Sequence, residues 1–319
     1  MQSLARSLKH QTAAGPLAAA RRLPIHLPLA SLGGWGIPKL TTAIVGIMRP
    51  EAFAAASRVP HLAVPTLDCS HQRSHIHQVQ QLLQQQGLLK LSLGFPDDSS
   101  SYLRGLVVGL HKLHGHGLPL DHSASQGWFW DVRPSAAEFQ SNGCQARSET
   151  MQEFPWHTDC SYEDNPPRYF ALQVLRPDRR GGGVLSLLSV QNILSRLSPP
   201  ARAALGRPEF RIAVPPEFVG ASGRSHIVGS VLRLSAGTMR FREDIVTPLS
   251  AAAASAVGEL KGVLMSAEVR DETLHLDAES MPQGSILLLD NRRWLHARNQ
   301  VRDPERHLRR VRWDATPFA

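Results

Sequence analysis

The segment FPWHTDCSYED, Phe154 to Asp164, sets His157 and Asp159 two residues apart. In an extended chain, residues i and i+2 project from the same side, so one imidazole nitrogen and one carboxylate oxygen can meet at a single point. Such a pair plus one further His makes a facial triad, which holds iron(II) from one side and leaves positions open to other ligands. The pair alone is weakly diagnostic, because His275 and Asp277 repeat it in LHLDAES. Two other groups, His71, His75 and His77 in HQRSHIH and His111, His114 and His116 in HKLHGHG, also resemble ligand clusters. Their setting reads as exposed helix faces and a helix end.

A second run of chemistry-bearing residues lies near the C-terminus, in GSILLLDNRRWLHARNQVRDPERHLRRVRW. A buried strand ends at Asp290-Asn291, a tight turn follows, and then comes His296, at a distance of 296 − 157 = 139 positions from His157. Arg306 follows ten residues later, and Arg310 four beyond it. If RHLRRVRW is a strand, Arg306, Leu308, Arg310 and Arg312 share one face. Guanidinium groups directed into a protein are costly unless they meet an anion, and a carboxylate is their natural bidentate partner.

The elements that must position these residues are readable in outline. SHQRSHIHQVQQLLQQQGLLKLSL predicts a helix stopped by Gly87 and then a strand. A second helix is expected in DDSSSYLRGLVVGLHKLHGHG, capped by Ser or Asp and ending near Gly115 or Gly117. Beyond it come short strand-like segments, RYFALQVL, GVLSLLSV, FRIAV, VLRLSAG, MRFRED, GSILLLD and HLRRVRW, separated by turn residues. Helical patterns interrupt them in SVQNILSRLSPPARAALG and LSAAAASAVGELKGVLMSAE, the latter with an expected start at Thr247-Pro248. Early helices followed by many short strands imply an α+β sandwich or jelly roll flanked by helices.

His157-x-Asp159, the distal His296 in DNRRWLHAR and Arg306 in DPERHLRRV together resemble the iron(II)/2-oxoglutarate-dependent oxygenases of the taurine dioxygenase and clavaminate synthase superfamily. The resemblance covers roughly Trp128 to Trp313. It implies a double-stranded β-helix core of the cupin-like, jelly-roll kind. It implies that His157, Asp159 and His296 bind Fe(II), that Arg306 pairs with the distal carboxylate of 2-oxoglutarate, and that O2 is the oxidant. Arg310 would face the same cavity and hold either the cosubstrate or an acidic group of the substrate, with Arg309 left as an alternative. The family often has Thr after a Gly-Gly-x turn; here RRGGGVLSLLSV has Val184, and Ser186 is the candidate replacement. The presence of Asp159 implies hydroxylation or desaturation, with release of succinate and CO2, of a small carboxylate-bearing, amino-acid-like or betaine-like molecule. Trp128, Trp130, Arg147 and Thr150 are candidates for the cavity mouth, and Glu163 and Asp164 for contact with a cationic group. Two other classes satisfy part of the pattern: a degenerate member that binds ligands without turnover, and a cupin-like metalloenzyme that needs no 2-oxoglutarate.

The bulk numbers narrow the setting. The chain has 319 residues with 42% hydrophobic and 19% charged, an ordinary globular balance. No apolar run approaches the roughly 18 residues of a membrane span. The three cysteines form no CxxC pair, which argues against a disulfide framework or a thiolate zinc site. The formal charge of +8 is uneven, with no acid in the first 50 residues. Neither basic block interleaves aromatics in the manner of a nucleic-acid surface, and anionic small molecules explain the arginine excess as well. Residues 1–35 read as a basic extension, either a tail or an organellar transit peptide, and residues 36–319 as one catalytic domain; the location expected is cytoplasmic or mitochondrial.

Overall fold

A computed structural model describes residues 59–121, 127–134, 146–219 and 223–318. Contacts divide the chain after Gly46, and every described residue belongs to the unit Ile47–Ala319. The expected N-terminal extension lies outside the described residues. No helix among them is long and apolar enough to cross a membrane.

The strands of the first half are β1 (His61–Val64), β2 (Leu88–Leu93), β3 (Trp130–Val132), β4 (Phe154–His157), β5 (Pro167–Arg176) and β6 (Leu185–Ser189). Then come β7 (Phe210–Ala213), β8 (His226–Gly229), β9 (Leu232–Arg233), β10 (Thr238–Met239) and β11 (Val246–Pro248). The last are β12 (Leu274–Leu276), β13 (Ser285–Asp290), β14 (Trp294–Arg298) and β15 (His307–Ala315). The helices are α1 (Arg73–Gln86), α2 (Ser101–His114), α3 (Val190–Arg196), α4 (Pro199–Leu205), α5 (Ala251–Met265) and α6 (Ala267–Glu272). A six-stranded major sheet runs β1-β2-β13-β5-β15-β3, and a four-stranded minor sheet runs β12-β6-β14-β4. Apart from the parallel β1–β2 pair, their ladders are antiparallel.

The sequence of β13, SILLLD, is buried at every position because both of its faces are covered. Ile286 and Leu288 pack with Ile76, Val79 and Leu83 of α1 and Leu103, Leu106 and Leu110 of α2. The alternate residues Leu287 and Leu289 pack with Leu187, Leu274 and Leu276 of the minor sheet. Period-two alternation thus welds a helical layer to one side of the major sheet and the minor sheet to the other. Each fully buried leucine contributes about 1.5–3 kcal/mol to this arrangement. The outer face of the minor sheet, through Leu188 and Leu295, packs on the core formed with α3, α4 and α5. The expected α+β jelly roll flanked by helices is the observed architecture.

The end of α1 ties this scaffold to the site. Gly87 takes φ 67°, the left-handed conformation that closes a helix at little cost. The last carbonyls of the helix, on Gln84, Gln85 and Gln86, accept hydrogen bonds from Arg293 Nη1, Arg293 Nη2 and Trp294 Nε1 at 2.8, 3.0 and 3.0 Å. The turn before His296 therefore caps the helix and is itself fixed by it. At α2 the cap comes from Asp97, whose carboxylate accepts from the Ser101 and Tyr102 amides at 2.8 and 2.9 Å. Thr247-Pro248 does not start a helix: both residues lie in β11, and α5 begins after Ser250, whose Oγ accepts from the Ala253 amide. VLRLSAG and MRFRED hold only the two-residue strands β9 and β10.

Candidate metal and cosubstrate site

Strands β4 and β14 are neighbours in the minor sheet, and their register puts His157 directly opposite His296. The two rings lie 4.0 Å apart between centroids. Asp159 follows in the turn after β4, and its backbone is gripped by Asn291. The Asn291 side chain accepts from the Asp159 amide at 2.7 Å and donates to the carbonyls of Asp159 and Pro167, both at 2.9 Å. Asn291 directly follows β13, so the LDN sequence fixes the backbone of Asp159 as well as ending a strand. Asp159 Oδ1 sits 3.8 Å from His157 Nε2 and 3.6 Å from His296 Nε2. One ligand atom from each residue lies within 4.8 Å of the others, the only such group among the described residues.

His157 Nδ1 donates to the Pro155 carbonyl at 2.8 Å, which directs Nε2 toward Asp159. Burial, reinforced by the neighbouring His296, holds His157 well below its ordinary pKa of 6.5. The imidazole is thus neutral and able to ligate. Burial alone would raise the Asp159 carboxyl, but Arg310, His296 and His157 together keep it well below the usual carboxylate range. Two imidazoles and one carboxylate, gathered on one side of a cavity, suit a hard or borderline divalent cation such as iron(II).

The cavity behind the triad is lined by Phe170, Leu172, Leu185, Leu308, Arg298 and Arg306, among others. Arg306 is only 5% exposed, and its Nη1 has no hydrogen-bond partner. It forms no ion pair among the described residues, and burial, only partly offset by the charge of Asp178, draws it down to about 10, so it is still cationic at neutral pH. A buried guanidinium with an orphaned donor requires an anion, and the distal carboxylate of a small dicarboxylate fits that requirement. The Gly-rich turn makes room for it: Gly183, at φ 62°, would bring a Cβ to 2.8 Å from Arg306 Nε. Arg298 lies in the same cavity and donates to the carbonyls of Ser148, Arg147, Thr150 and Gln152, the last in a contact of 2.5 Å. It pins the 147–152 turn to β14.

A second cavity adjoins the first and shares Phe154, His157 and Asp159 with it. Its walls include Arg147, Tyr162, Glu217, Phe218, Arg242 and Arg310. Arg310 Nη1 lies 3.3 and 3.0 Å from the two Asp159 oxygens, so it steadies the carboxylate while lining both cavities. Its guanidinium stacks on Trp130 at 4.8 Å.

Other sequence expectations resolve differently. Ser186 does not reach the cavity that holds Arg306: its Oγ lies 2.9 Å from His275 Nδ1, because Leu185 and Leu187 take the inner face of β6. The Val184 amide donates to Asn299 Oδ1 instead. Arg309 points away and pairs with Asp131 at 2.7 Å. Thr150 donates to the Arg147 carbonyl within the turn, and Arg104 stacks on Trp128 at 5.3 Å, away from the site. Asp164 pairs with Arg224 at 2.6 Å. Asp277 accepts from Glu279 and Ser280 in a turn. Of the other histidines, His75 and His116 are buried rather than exposed, bonded to Tyr102 and Trp313. Sequence reasoning missed Arg298 and Arg242. Arg298 was reachable, since i+2 from His296 shares its face; Arg242 reaches the site through an isolated bridge to His157, for which no local pattern exists.

Comparison with known proteins agrees with this geometry. The chain is 29% identical over 173 residues to an L-asparagine oxygenase from Streptomyces coelicolor, a match covering 52% of this chain and 46% of that protein. The chain thus spans about half the length of that relative. The fold matches a solved asparagine oxygenase in complex with Fe(II), 2S,3S-3-hydroxyasparagine and succinate, with TM-score 0.59 and 21% identity over 83% of this chain and 89% of that one. It also matches the non-heme iron oxygenase OrfP in complex with Fe, succinate and (3S)-hydroxy-L-Arg, with TM-score 0.57 and 18% identity over 77% of this chain and 82% of that one. A profile of the family described as taurine catabolism dioxygenase TauD, TfdA matches residues 50–211, just over half of the sequence. With that match, the chain belongs to the TauD/TfdA dioxygenase family.

Proposed function

We propose that this chain is an Fe(II)- and 2-oxoglutarate-dependent oxygenase that hydroxylates a small, carboxylate-bearing, amino-acid-like substrate and releases succinate and CO2. The observation that carries the reading is Arg306, a buried cation with no ion pair among the described residues and an unpartnered Nη1, in a cavity that also touches His157, Asp159 and His296. A metalloenzyme without a dicarboxylate cosubstrate leaves that guanidinium unexplained. The reading is also supported by the solved relatives, in which Fe and succinate accompany hydroxylated amino acids.

His157, Asp159 and His296 would hold the metal from one side, and Arg306 would receive the distal carboxylate of 2-oxoglutarate. Bound iron with its cosubstrate supplies the oxidising power for C–H cleavage. The chain's residues do the rest. Phe170, Leu172, Leu185 and Leu308 exclude water around the cosubstrate and strengthen its pairing with Arg306. Arg310 holds the Asp159 carboxylate ionised and in place, and its Nε, buried and without a partner, is available to a substrate carboxylate. The test is anaerobic titration of the purified protein with Fe(II) and 2-oxoglutarate. A visible charge-transfer band that needs both is expected. If each is bound in the absence of the other and no band develops, the reading fails.

A further inference from the structure

We propose that Arg242, with Arg147, selects an amino acid whose own side chain carries a carboxylate. The inference rests on the amino-acid reading above and names the class within it.

The second cavity is lined by the guanidiniums of Arg147, Arg242, Arg310 and Arg312, against two carboxylates, Asp159 and Glu217. Asp159 belongs to the metal triad. Arg147 and Arg242 share one counter-ion behind the wall, Asp244. Its oxygens receive Arg242 Nε at 2.8 Å, Arg242 Nη2 at 3.0 Å and Arg147 Nη1 at 3.2 Å. A single carboxylate cannot neutralise two guanidiniums. Arg242 Nη1 and Arg147 Nη2 retain no hydrogen bond among the described residues. Both cations stack over Phe154, at 5.1 and 6.0 Å, and the Phe154 ring stacks on His157 at 3.7 Å. The cationic pair is therefore built against the metal-ligating histidine, and the side chain of Arg242 is only 10% exposed.

The arrangement is bipolar. Arg242 flanks the triad on the His157 side through their backbone bridge, while Arg310 flanks it on the Asp159 side. A molecule with a carboxylate at each end, one toward Arg310 and one toward Arg242, lies across the triad with its middle carbons nearest the metal ligands. Glu217, which has no hydrogen bond or ion pair among the described residues, is the one remaining carboxylate in the wall and suits an ammonium group. A cationic side chain is repelled by the Arg147–Arg242 pair, and an amide leaves its surplus charge unmatched.

The test uses the full chain with Fe(II), 2-oxoglutarate and O2, reading succinate formation and hydroxylated product. The probes are L-aspartate, L-glutamate, L-asparagine, L-glutamine and L-arginine, with calorimetric binding of the same probes to the anaerobic enzyme. An acidic amino acid is expected to exceed its amide at least tenfold in kcat/KM. Arg242→Gln should narrow that ratio at least tenfold, mainly through KM, and Arg242→Lys should keep part of it. Arg147→Gln, at a more exposed position, provides the same readout should Arg242→Gln not fold. Preference for an amide or for L-arginine, or an unchanged ratio in both glutamine variants, overturns the inference and leaves the amino-acid reading standing. If no probe binds or raises succinate formation while Fe(II) and 2-oxoglutarate bind normally, the amino-acid reading itself fails and the inference falls with it.

Discussion

The chain carries His-x-Asp twice, and both copies sit on edge strands of the same sheet. β4 forms one edge of the minor sheet and β12 the other. His157 and Asp159 are buried, at 4% and 5% exposure, facing His296. His275 is exposed and pairs in register with Ser186, while Asp277 turns back to cap Glu279 and Ser280. The difference is a matter of face. In LHL the two leucines, 3% exposed each, take the core side, so His275 must project outward. In β4 the alternation instead places His157 against the neighbouring strand's histidine, and the turn held by Asn291 adds Asp159. Spacing makes a ligand pair possible; the buried neighbours decide whether it is one.

The widest separation between the two copies is expected on removing the carboxylates. Asp159→Ala should abolish Fe(II) binding, measured by anaerobic titration, and with it succinate formation. Asp277→Ala should leave both intact and cost only about 1 kcal/mol of unfolding free energy, the usual value of a lost side-chain cap. If Asp277→Ala destroys metal binding, the comparison is wrong.

A smaller effect belongs to the cation behind the first copy. Arg306→Gln removes a charge-assisted pairing worth about 1.5–3 kcal/mol, so 2-oxoglutarate should bind about 10- to 100-fold more weakly. Because the guanidinium is buried with no ion pair among the described residues, the metal-free variant should unfold at no lower urea concentration than the wild type. Unaltered 2-oxoglutarate affinity would assign the carboxylate to another arginine.

Protons give the next separation. In the unfolded chain His157 titrates near 6.5, but in the folded chain only well below that. The unfolded state therefore binds more protons as pH falls beneath 6.5, and the metal-free protein loses stability over that window, by at most about 1.4 kcal/mol per pH unit for this group. Asp159 acts in a lower window: its depressed pKa contributes stability that is present above 3.8 and lost as pH falls further. Urea midpoints between pH 7 and 5 check the His157 window, and His157→Gln should flatten the slope there.

The smallest effect is expected at Ser186. Ser186→Ala removes an exposed hydrogen bond to His275 and should change stability by less than about 1 kcal/mol, with 2-oxoglutarate affinity unaltered. A tenfold loss of that affinity would return Ser186 to the cosubstrate cavity.

Much of this site was legible in order along the chain. The structure brings His157, Asp159 and His296 together and sets Arg306 and Arg310 in the wall of the cavity beside them, and the helix stop at Gly87 and the buried run of β13 were plain. The failures have local causes. The Ser186 expectation counted two residues on from Val184 without knowing which face of β6 the leucines would claim. Thr247-Pro248 resembled a helix start, but its backbone pairs with Arg211 and Phe210 of β7, a partner some forty residues away. Arg242 carries no periodic signal at all, since it reaches His157 through a single bridge outside any named ladder.

By itself, then, the sequence determined the ligand types, their order, the alternation that buries one face of each strand, and an arginine excess demanding anions. These are properties of single residues and short spacings, which survive without a partner strand. Only the tertiary structure decided which His-x-Asp is buried, that Arg306 is buried with an unpartnered Nη1, and that Asp244 lies between Arg147 and Arg242 beside Phe154. Those outcomes depend on contacts between distant residues, His157 with His296 across 139 positions and Arg147 with Asp244 across 97, where burial converts a modest preference into a charge that must be matched.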